Sequence, residues 1–509
     1  MNEDITEIVL GPPGTGKTTT LIDEVRAELA RGTPPDRIGY FSFTRRAAQE
    51  AVQRACEAFN VGRDQFPHFR TLHSMCYHAL GVGKGEVVTE KDMAEFAQLV
   101  GVRFSGRWSD DGTFFGFDTG DRVLFMENLS RIKMVPLRVL YDQDDDGLSW
   151  NMVKRIADAY SEFKRERGLM DYTDMLVEFA RSSIRLGLQV VFIDEAQDLS
   201  PIQWVVAGKS ADRARRIVVA GDDDQAIYRW AGADVDHLIG MRGSVRVLGQ
   251  SYRVPPVIQE LAERVISGVR RRRPKSWRAR TGGEGEVDYA GSIEEIDIDE
   301  RSGTYLILAR NNYIAGKEVR EALRRQGIVF SYYDHESIPQ LTWDAVHLWE
   351  RLRRGEAVSV PDARHVYKYI TARVGVKHGH KTLPGAADDE MLTIGALRER
   401  HGLLREDEWF HALDRVPQKD ISYMRAALAR SHARGFKFEP GRVRVSTIHG
   451  SKGGEADNVI VMKEMAKRTY QEMYRNEDDE RRVWYVAATR AREKLTIVES
   501  RAAERCPWL

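Results

Sequence analysis

Short apolar runs that end at a glycine or an acidic residue alternate with amphipathic segments along much of this chain. One run, Glu7–Leu10, stops at Gly11, and another, Ile38–Phe43, precedes the segment Arg46–Phe59. The small apolar residues of that segment recur at the spacing of one helical face: Ala47, Ala48, Ala51, Val52, Ala55 and Cys56. Because strand-like and helix-like segments alternate, the pattern predicts an α/β fold with parallel sheets.

The same alternation returns further along the chain. Further strands are predicted at Val190–Ile193, Ile217–Ala220, Tyr305–Ala309, Val443–Ser446, Val459–Met462 and Leu495–Val498. Two stretches interrupt it, because residues 81–164 are polar with Gly- and Asp-rich patches and residues 338–434 are mostly helical in pattern. We therefore predict two α/β halves, each of which carries an insertion.

Composition limits the class of protein. A chain of 509 residues is too long for one hydrophobic core, and 42% hydrophobic with 30% charged residues is typical of folded globular proteins. No apolar run is long enough to span a membrane, and the acidic N-terminus has no signal-peptide pattern, so we expect a cytoplasmic protein. The three cysteines are too few for a disulfide framework.

The formal net charge of +0 does not by itself suggest a nucleic-acid binder. A binding channel needs only a local field, however, and one basic run stands out. It comprises Arg270, Arg271, Arg272, Arg273, Lys275, Arg278 and Arg280. Two interpretations stay open for this run: a solvated loop, which we favour, or a surface that follows a phosphate backbone.

Residues 11–18 match the pattern G-x-x-x-x-G-K-[ST] between a predicted strand and a predicted helix. The glycines allow backbone N–H groups to surround phosphates, and the start of the helix adds its dipole. Lys17 is suited to contact the β- and γ-phosphates, and the Thr18 hydroxyl is suited to bind Mg²⁺. The sequence therefore predicts a nucleoside triphosphate site with ATP and Mg²⁺ as its ligands.

Two acidic residues follow the predicted strand Val190–Ile193. In a parallel sheet, carboxylates at this end of a strand face the ligand crevice. Asp194 is suited to hold Mg²⁺, and Glu195 to orient and deprotonate the attacking water. The alternative is an acidic cap on the next helix.

The block Gly221–Gly232, with Gln225, Tyr228 and Trp230 inside it, resembles motif III of UvrD/Rep/PcrA-like superfamily 1 DNA helicases. Other blocks resemble motifs of this family in the family's order: Phe41–Ala48 (Ia), Thr71–Ser74 (Ib), Asp171–Leu176, Gln250–Arg253 (IV), Leu308–Asn312 (IVa), Val445–Glu455 (V) and Arg481–Ala491 (VI). The resemblance covers nearly the whole chain except the two insertions.

The resemblance implies a RecA-like α/β fold and an ATP site shared by both halves. The residues it assigns to ATP are Gly11, Pro12, Pro13, Gly14, Thr15, Gly16, Lys17, Thr18, Thr19, Asp194, Gln225, Tyr252, Arg253, Glu455 and Arg490, with Thr18 and Asp194 as Mg²⁺ ligands. The resemblance also implies five catalytic residues: Lys17, Glu195, Gln225, Arg253 and Arg490. Arg253 and Arg490 are expected to come from the second half and to neutralise charge on the γ-phosphate.

On the DNA side, the resemblance implies that aromatic faces stack on successive bases without regard to sequence. Phe43, Tyr228 and Trp230 are expected to supply these faces. Backbone and base contacts are expected from Thr44, Arg45, His73, Arg310, Asn312, Thr447 and His449. For Tyr228 and Trp230 the competing interpretation is core packing, and for the two histidines it is a structural role.

The family pattern predicts four domains. These are domain 1A (residues 1–80 and 165–248), insertion 1B (81–164), domain 2A (249–337 and 435–509) and insertion 2B (338–434). No glutamine precedes Gly11, so the family's adenine-recognition motif is not evident and other nucleotides are plausible substrates. The small insertions and the end at Leu509 suggest a compact, phage- or plasmid-encoded version.

The leading hypothesis is an ATP-dependent helicase that moves 3′ to 5′ on single-stranded DNA in replication, repair or recombination. We expect it to bind single strands and their junctions with duplexes, to be associated with the nucleoid and to be monomeric without DNA. A loading protein or a replication or repair protein is the expected kind of protein partner. A single-strand translocase that unwinds poorly alone is the alternative. A non-enzymatic scaffold is disfavoured because Lys17, Glu195, Gln225 and Arg490 are all present.

Overall fold

The computed structural model describes residues 2–43, 45–59, 62–108, 114–116, 118–143, 147–333, 335–435, 439 and 441–509. Thr44, which the sequence assigned to DNA binding, lies outside these residues. Arg45 begins a helix, but its side chain is also outside the described part. These two DNA-binding assignments therefore stay predictions.

The strands and helices follow the predicted alternation. The strands are β1 (Thr6–Leu10), β2 (Ile38–Ser42), β3 (Phe69–Thr71), β4 (Arg107–Trp108), β5 (Phe114–Phe115), β6 (Val190–Asp194), β7 (Arg216–Gly221), β8 (Ser244–Val247), β9 (Glu286–Ala290), β10 (Tyr305–Ala309), β11 (Ser331–Tyr332), β12 (His335–Glu336), β13 (Val358–Ser359), β14 (Met391–Leu392), β15 (Val443–Thr447), β16 (Ala456–Met462) and β17 (Ala491–Val498). The helices are α1 (Lys17–Ala30), α2 (Arg45–Phe59), α3 (Leu72–Leu80), α4 (Glu90–Val100), α5 (Thr119–Ile132), α6 (Leu137–Gln143), α7 (Trp150–Arg167), α8 (Tyr172–Arg181), α9 (Pro201–Ser210), α10 (Val235–Gly240), α11 (Pro256–Ile266), α12 (Arg320–Arg325), α13 (Gln340–Arg353), α14 (Val360–Lys368), α15 (Ile394–Arg400), α16 (Trp409–Ala412), α17 (Gln418–Arg434), α18 (Lys467–Met473) and α19 (Glu477–Ala488).

The first of two compact units comprises residues 1–285, 472–489 and 508. Its six-stranded parallel sheet has the order β3-β2-β6-β7-β1-β8. The central strands β1, β2, β6 and β7 are almost wholly buried because helices cover both faces. Their carboxyl ends, at Leu10, Ser42, Asp194 and Gly221, meet along one edge, where ligands bind in sheets of this type.

The second unit comprises residues 286–471, 490–507 and 509. Its sheet has the order β12-β11-β15-β10-β16-β17-β9, and every pairing except β11–β12 is parallel. The core strand β10 is completely buried between β15 and β16. The two parallel sheets with helices confirm the predicted α/β, RecA-like fold class.

Both interrupting stretches are mainly helical. Residues 81–164 contain α4 to α7 and the short pair β4–β5, with a core of their own around Phe96, Ile156 and Tyr160. Residues 338–434 contain α13 to α17 and the pair β13–β14, and their core is continuous with that of the second sheet. Among the described residues, no helix is both long and apolar enough to cross a membrane.

The two units divide the chain differently from the predicted domains. Residues 249–285 and 472–489 pack with the first unit, although the sequence grouped them with domain 2A. The finer division into four domains stays a prediction.

Candidate phosphate site and nucleic-acid surface

The P-loop occupies residues 11–16 between β1 and α1. Gly14 and Gly16 have φ angles of 71° and 77°, a conformation that costs little only for glycine. At Gly11 a Cβ would lie 2.0 Å from the Lys17 Cγ atom, so the lysine stem needs this glycine. The loop is also held internally, since the Thr15 hydroxyl donates to the Pro12 carbonyl at 2.8 Å.

Lys17 and Thr18 open helix α1 and face the carboxyl ends of neighbouring strands. The Lys17 Nζ atom donates to the Gly11 carbonyl at 2.9 Å and lies 3.9 Å from Glu195 Oε1. The Thr18 hydroxyl donates to Asp194 Oδ2 at 3.0 Å. Thr19, one residue on, accepts from Arg54 at 2.9 Å. The structure therefore brings together the P-loop and the acidic pair.

Asp194 is buried at the end of β6. Its Oδ2 atom accepts from the Tyr40 hydroxyl at 2.8 Å as well as from Thr18. Burial and the neighbouring Glu195 raise the pKa of Asp194 despite these bonds and despite Lys17. Two carboxyl groups at a buried strand end are a set of oxygen ligands that suits a hard cation such as Mg²⁺.

Glu195 lies in a left-handed backbone conformation, with φ of 52°, which is uncommon for a residue other than glycine. A 3₁₀ turn, Ala196–Asp198, follows at once. Within that turn the buried Gln197 amide donates to Glu195 Oε2 and accepts from the Asp222 N–H at 2.9 Å. The acidic segment after β6 is thereby joined to the segment after β7.

The motif III segment after β7 carries three consecutive aspartates. Gln225 donates to Asp222 Oδ2 at 2.7 Å, so the predicted phosphate sensor is held by the first of them. The Lys275 ammonium lies 3.0, 2.5 and 3.0 Å from carboxylate oxygens of Asp222, Asp223 and Asp224. Burial opposes the charge of Asp222, but Lys275 and then Lys17 outweigh it and lower the pKa of Asp222.

The basic run around Lys275 is therefore only partly a solvated loop. Arg270 and Arg271 are exposed and contact Asp478 and Asp236. Arg272, in contrast, makes a two-pronged contact with Asp224 at 2.9 and 2.5 Å, and the Lys275 side chain is 0% exposed. Neither interpretation of the run describes these inner residues, because their charges are used inside the first unit to balance the motif III acids.

The motif IV segment also lies against the P-loop. The Tyr252 N–H donates to the Gly14 carbonyl at 2.8 Å, and the Ser251 hydroxyl donates to the Pro13 carbonyl at 2.8 Å. Tyr252 is 76% exposed beside the loop. Arg253 approaches so closely that a Cβ on Gly14 would lie 2.4 Å from the Arg253 Cβ. Arg253 thus belongs to the first unit, whereas we expected it from the second half.

The predicted DNA-contacting aromatic residues differ in exposure. Phe43 is buried, and its ring stacks on Tyr228 with centroids 5.7 Å apart. His73, near the start of α3, is also buried and meets the edge of Tyr172. Phe43, Tyr228 and His73 line one small pocket of the first unit. Trp230 is not among the residues that line this pocket, and 46% of its surface is exposed.

The predicted DNA residues of the second unit lie at the carboxyl ends of β10 and β15. The register pairs Ala309 with Thr447, so Arg310 directly follows β10 and Thr447 ends the neighbouring strand β15. Asn312 accepts hydrogen bonds from the Tyr332 and Tyr333 hydroxyls. His449 begins the 3₁₀ turn His449–Ser451 after β15.

Glu455 and Arg490 also lie in the second unit. Glu455 accepts from Arg492, and Arg490 donates to the Gly454 carbonyl at 3.2 Å. These contacts place both residues where β16 and β17 begin. Their assignment to ATP stays a prediction from the family resemblance.

Sequence reasoning missed three residues of the phosphate site. Tyr40 looked like one more apolar position of β2, yet its hydroxyl reaches Asp194. Gln197 lies inside the acidic segment after β6 and carries no signal of its own, and Lys275 is one member of a basic run. The chemistry of the side chains could still have identified all three. A buried phenol, amide or ammonium group needs a polar partner, and acid-rich segments offer such partners.

Two family models match this chain. The UvrD/REP helicase N-terminal domain matches residues 3–245, and the UvrD-like helicase C-terminal domain matches residues 419–502. Among similar proteins, the ATP-dependent DNA helicase PcrA of Bacillus subtilis is 23% identical over 378 residues, which are 66% of this chain and 50% of that protein. PcrA of Staphylococcus aureus is 24% identical over 318 residues, 58% of this chain and 42% of that protein.

The chain thus spans about half the length of the curated relatives it matches, or less. Among solved structures, an arterivirus nonstructural protein 10 (helicase) aligns with 97% of this chain and 59% of that chain, at 10% identity. The TM-score of that alignment is 0.32, which is too low to establish a shared fold.

Proposed function

This chain belongs to the UvrD/Rep/PcrA-like family of superfamily 1 helicases, and we propose that it is an ATP-dependent DNA helicase. The observation that carries the proposal is the arrangement of Lys17, Thr18, Asp194 and Glu195 at the ends of β1 and β6. The Thr18–Asp194 distance of 3.0 Å and the Lys17–Glu195 distance of 3.9 Å set the phosphate-binding groups beside a metal-binding acid and a base.

The proposed hydrolysis follows from these groups. The Lys17 ammonium exchanges its contacts with the Gly11 carbonyl and Glu195 for phosphate oxygens. Glu195 accepts the proton of the attacking water. Arg253, beside the P-loop, neutralises charge that develops on the transferred phosphoryl group. Gln225, held by Asp222, responds to the same phosphoryl group.

Thr18 and Asp194 would hold Mg²⁺, which when bound neutralises charge on the phosphate oxygens. The fit rests on Asp194 itself, since burial and Glu195 make its negative charge costly without a cation. Tyr40 keeps the carboxylate in place through Oδ2.

The DNA side of the proposal rests on Trp230 and on the strand ends of the second unit. An exposed indole offers a face on which any base can stack, worth about 1–3 kcal/mol per base. Arg310, Asn312, Thr447 and His449 lie at the same sheet edge and offer hydrogen bonds to a strand. The 3′-to-5′ direction and a role in replication, repair or recombination are carried over from the family resemblance.

A translocase that displaces bound proteins and unwinds only with a partner is the second candidate. This candidate is favoured by the small size of the two insertions, which span residues 81–164 and 338–434. A motor of this kind would hydrolyse ATP on single strands without opening duplexes by itself.

The test is strand separation with ATP and Mg²⁺ on duplexes that carry either a 3′ or a 5′ single-stranded tail. Separation of only the 3′-tailed duplex is expected. Lys17→Ala is the inactive control, because it removes the phosphate-binding ammonium. ATP turnover stimulated by single strands without separation of either duplex would favour the translocase. No ATP turnover at all, or unchanged turnover by Lys17→Ala, would refute the phosphate-site assignment.

A further inference from the structure

Gln197 is buried, with 0% exposure, between the ends of β6 and β7. Both ends of its amide are used: Nε2 donates to Glu195 Oε2, and Oε1 accepts from the Asp222 N–H at 2.9 Å. Because an amide has one donor end and one acceptor end, these two partners fix which way it points.

The fold leaves room for these two hydrogen bonds, which together form the Gln197 bridge. A Cβ on Gly221 would lie 2.8 Å from the Gln197 Oε1 atom and 3.3 Å from its backbone nitrogen. Gly221 has no left-handed backbone conformation to explain it, so glycine suits this position because Gln197, and also Leu238 Cδ2 at 3.0 Å, approach so closely.

On one side, the bridge acts on the proposed base. The two Glu195 oxygens face different groups, since Oε1 lies 3.9 Å from the Lys17 ammonium and Oε2 accepts from Gln197. Glu195 also has a left-handed φ of 52°, a backbone conformation that is uncommon for a residue other than glycine. The Gln197 bond therefore selects one orientation of that carboxylate.

On the other side, the bridge reaches motif III. The Asp222 backbone donates to Gln197, while the Asp222 carboxylate accepts from Gln225 at 2.7 Å. One residue thus lies between Gln197 and the proposed phosphate sensor. The path from base to sensor runs Glu195, Gln197, Asp222, Gln225.

We propose that Gln197 is a positioning residue that orients the Glu195 carboxylate and ties it to the Asp222–Gln225 segment. The inference rests on the proposed ATP hydrolysis at this site. Misplacing a reacting group by about 1 Å can cost about 100-fold in rate. The hydrolysis step needs Glu195 aligned with water, whereas nucleotide binding needs mainly the P-loop.

The experiment compares Gln197→Met with the unmodified protein. Methionine keeps the length and removes both hydrogen bonds. We expect kcat for single-strand-stimulated ATP hydrolysis to fall about 10–100-fold, because the base is no longer held in line with the water. The KM for ATP, and the affinity for a fluorescent non-hydrolysable ATP analogue measured by anisotropy, should stay within about twofold of the unmodified values because the P-loop contacts remain.

Gln259→Met is the matched control, since it removes a 2.7 Å bond from Gln259 Nε2 to the Trp277 carbonyl in the same unit. It should leave kcat within about twofold, because the bond that it removes joins α11 to Trp277 and not to either residue of the acidic pair. An equal loss in both variants, or a parallel loss of analogue affinity in Gln197→Met, would overturn the positioning role in favour of general packing.

A double substitution separates this inference from the proposed function. If Gln197 acts through Glu195, then Glu195→Gln with Gln197→Met should be no slower than Glu195→Gln alone. Additive losses would overturn the inference and leave the function intact. Absence of ATP hydrolysis in the unmodified protein would instead overturn both.

Discussion

Replacing Lys275 with methionine tests how the first unit tolerates three buried aspartates. The ammonium is the shared partner of Asp222, Asp223 and Asp224, and all four side chains are buried. Methionine fills a similar volume but carries no charge. The substitution therefore removes the charge balance and leaves the packing nearly unchanged.

The expected cost is large because the partner charges stay behind. Removing one partner of a buried ion pair typically lowers the free energy of unfolding by about 3–5 kcal/mol. Arg272 still offsets Asp224 through its two contacts, so Asp222 and Asp223 lose most. We expect a loss of roughly 3 kcal/mol or more near neutral pH.

The loss should also depend on pH in a defined direction. Burial, together with Asp222 and Asp223, outweighs Lys275 and raises the pKa of Asp224 from 3.8 to about 6. Between these two values the native protein holds a proton that the unfolded chain has released, so the free energy of unfolding falls as pH rises. A pKa of about 6 instead of 3.8 corresponds to roughly 3 kcal/mol.

Removing Lys275 should raise the pKa of Asp222 and raise that of Asp224 further, because Lys275 favours the charged form of both carboxyl groups. The variant should then lose less stability near pH 5 than near pH 8, by at least about 1.4 kcal/mol, the equivalent of one pKa unit. The assay is urea unfolding of the full chain at both pH values, with and without the substitution.

Lys463→Met is the control for this assay. Lys463 is a buried lysine of the second unit that pairs at 2.8 Å with the partly exposed Glu499. Its loss should cost about 1 kcal/mol or less, with little change between the two pH values. Equal losses for Lys275→Met near pH 5 and near pH 8 would refute the charge-balance reasoning, and so would a loss below about 1 kcal/mol near pH 8.

Three further substitutions test the candidate sites. Gly14→Ala adds a Cβ 2.4 Å from the Arg253 Cβ at a φ of 71°, and we expect the affinity for an ATP analogue to fall at least about tenfold. The control Gly32→Ala has a φ of 89° and open space around it, so it should leave this affinity unchanged. Equal effects of the two substitutions would contradict the steric argument. Tyr40→Phe removes the 2.8 Å bond to Asp194, so half-maximal ATP turnover should need about tenfold more Mg²⁺; an unchanged Mg²⁺ requirement would argue against this role. Trp230→Ala should weaken turnover stimulated by single strands more than basal turnover, by about 1–3 kcal/mol in apparent strand affinity, whereas equal losses would identify a packing residue.

Local patterns in the sequence predicted the central strands well. The apolar runs at Glu7–Leu10 and Val190–Ile193 correspond to β1 and β6 within one residue at each end. Strands buried on both faces need apolar side chains at nearly every position, and this requirement is visible in the sequence alone. Edge strands were not predicted: β8 and β9 are mostly exposed, so they lack a continuous apolar run.

The placement of motif IV shows that domain boundaries were harder to predict from the sequence than strands. The order of motifs assigned residues 249–285 to the second half. Hydrogen bonds from Ser251 and Tyr252 to the P-loop instead hold this segment in the first unit. A boundary depends on which surfaces a segment packs against, and motif order along the chain does not contain that information.

The sequence by itself determined the P-loop, the acidic pair after β6 and the family, because each depends on residue types at fixed short spacings. Only the tertiary structure decided which charges are balanced internally and which groups contact the proposed base. Lys275 meets aspartates about fifty positions away, and Gln197 joins the ends of two strands through one amide. Such contacts depend on which strands are neighbours in the sheet, and strand order is fixed by packing over the whole unit and not by local pattern.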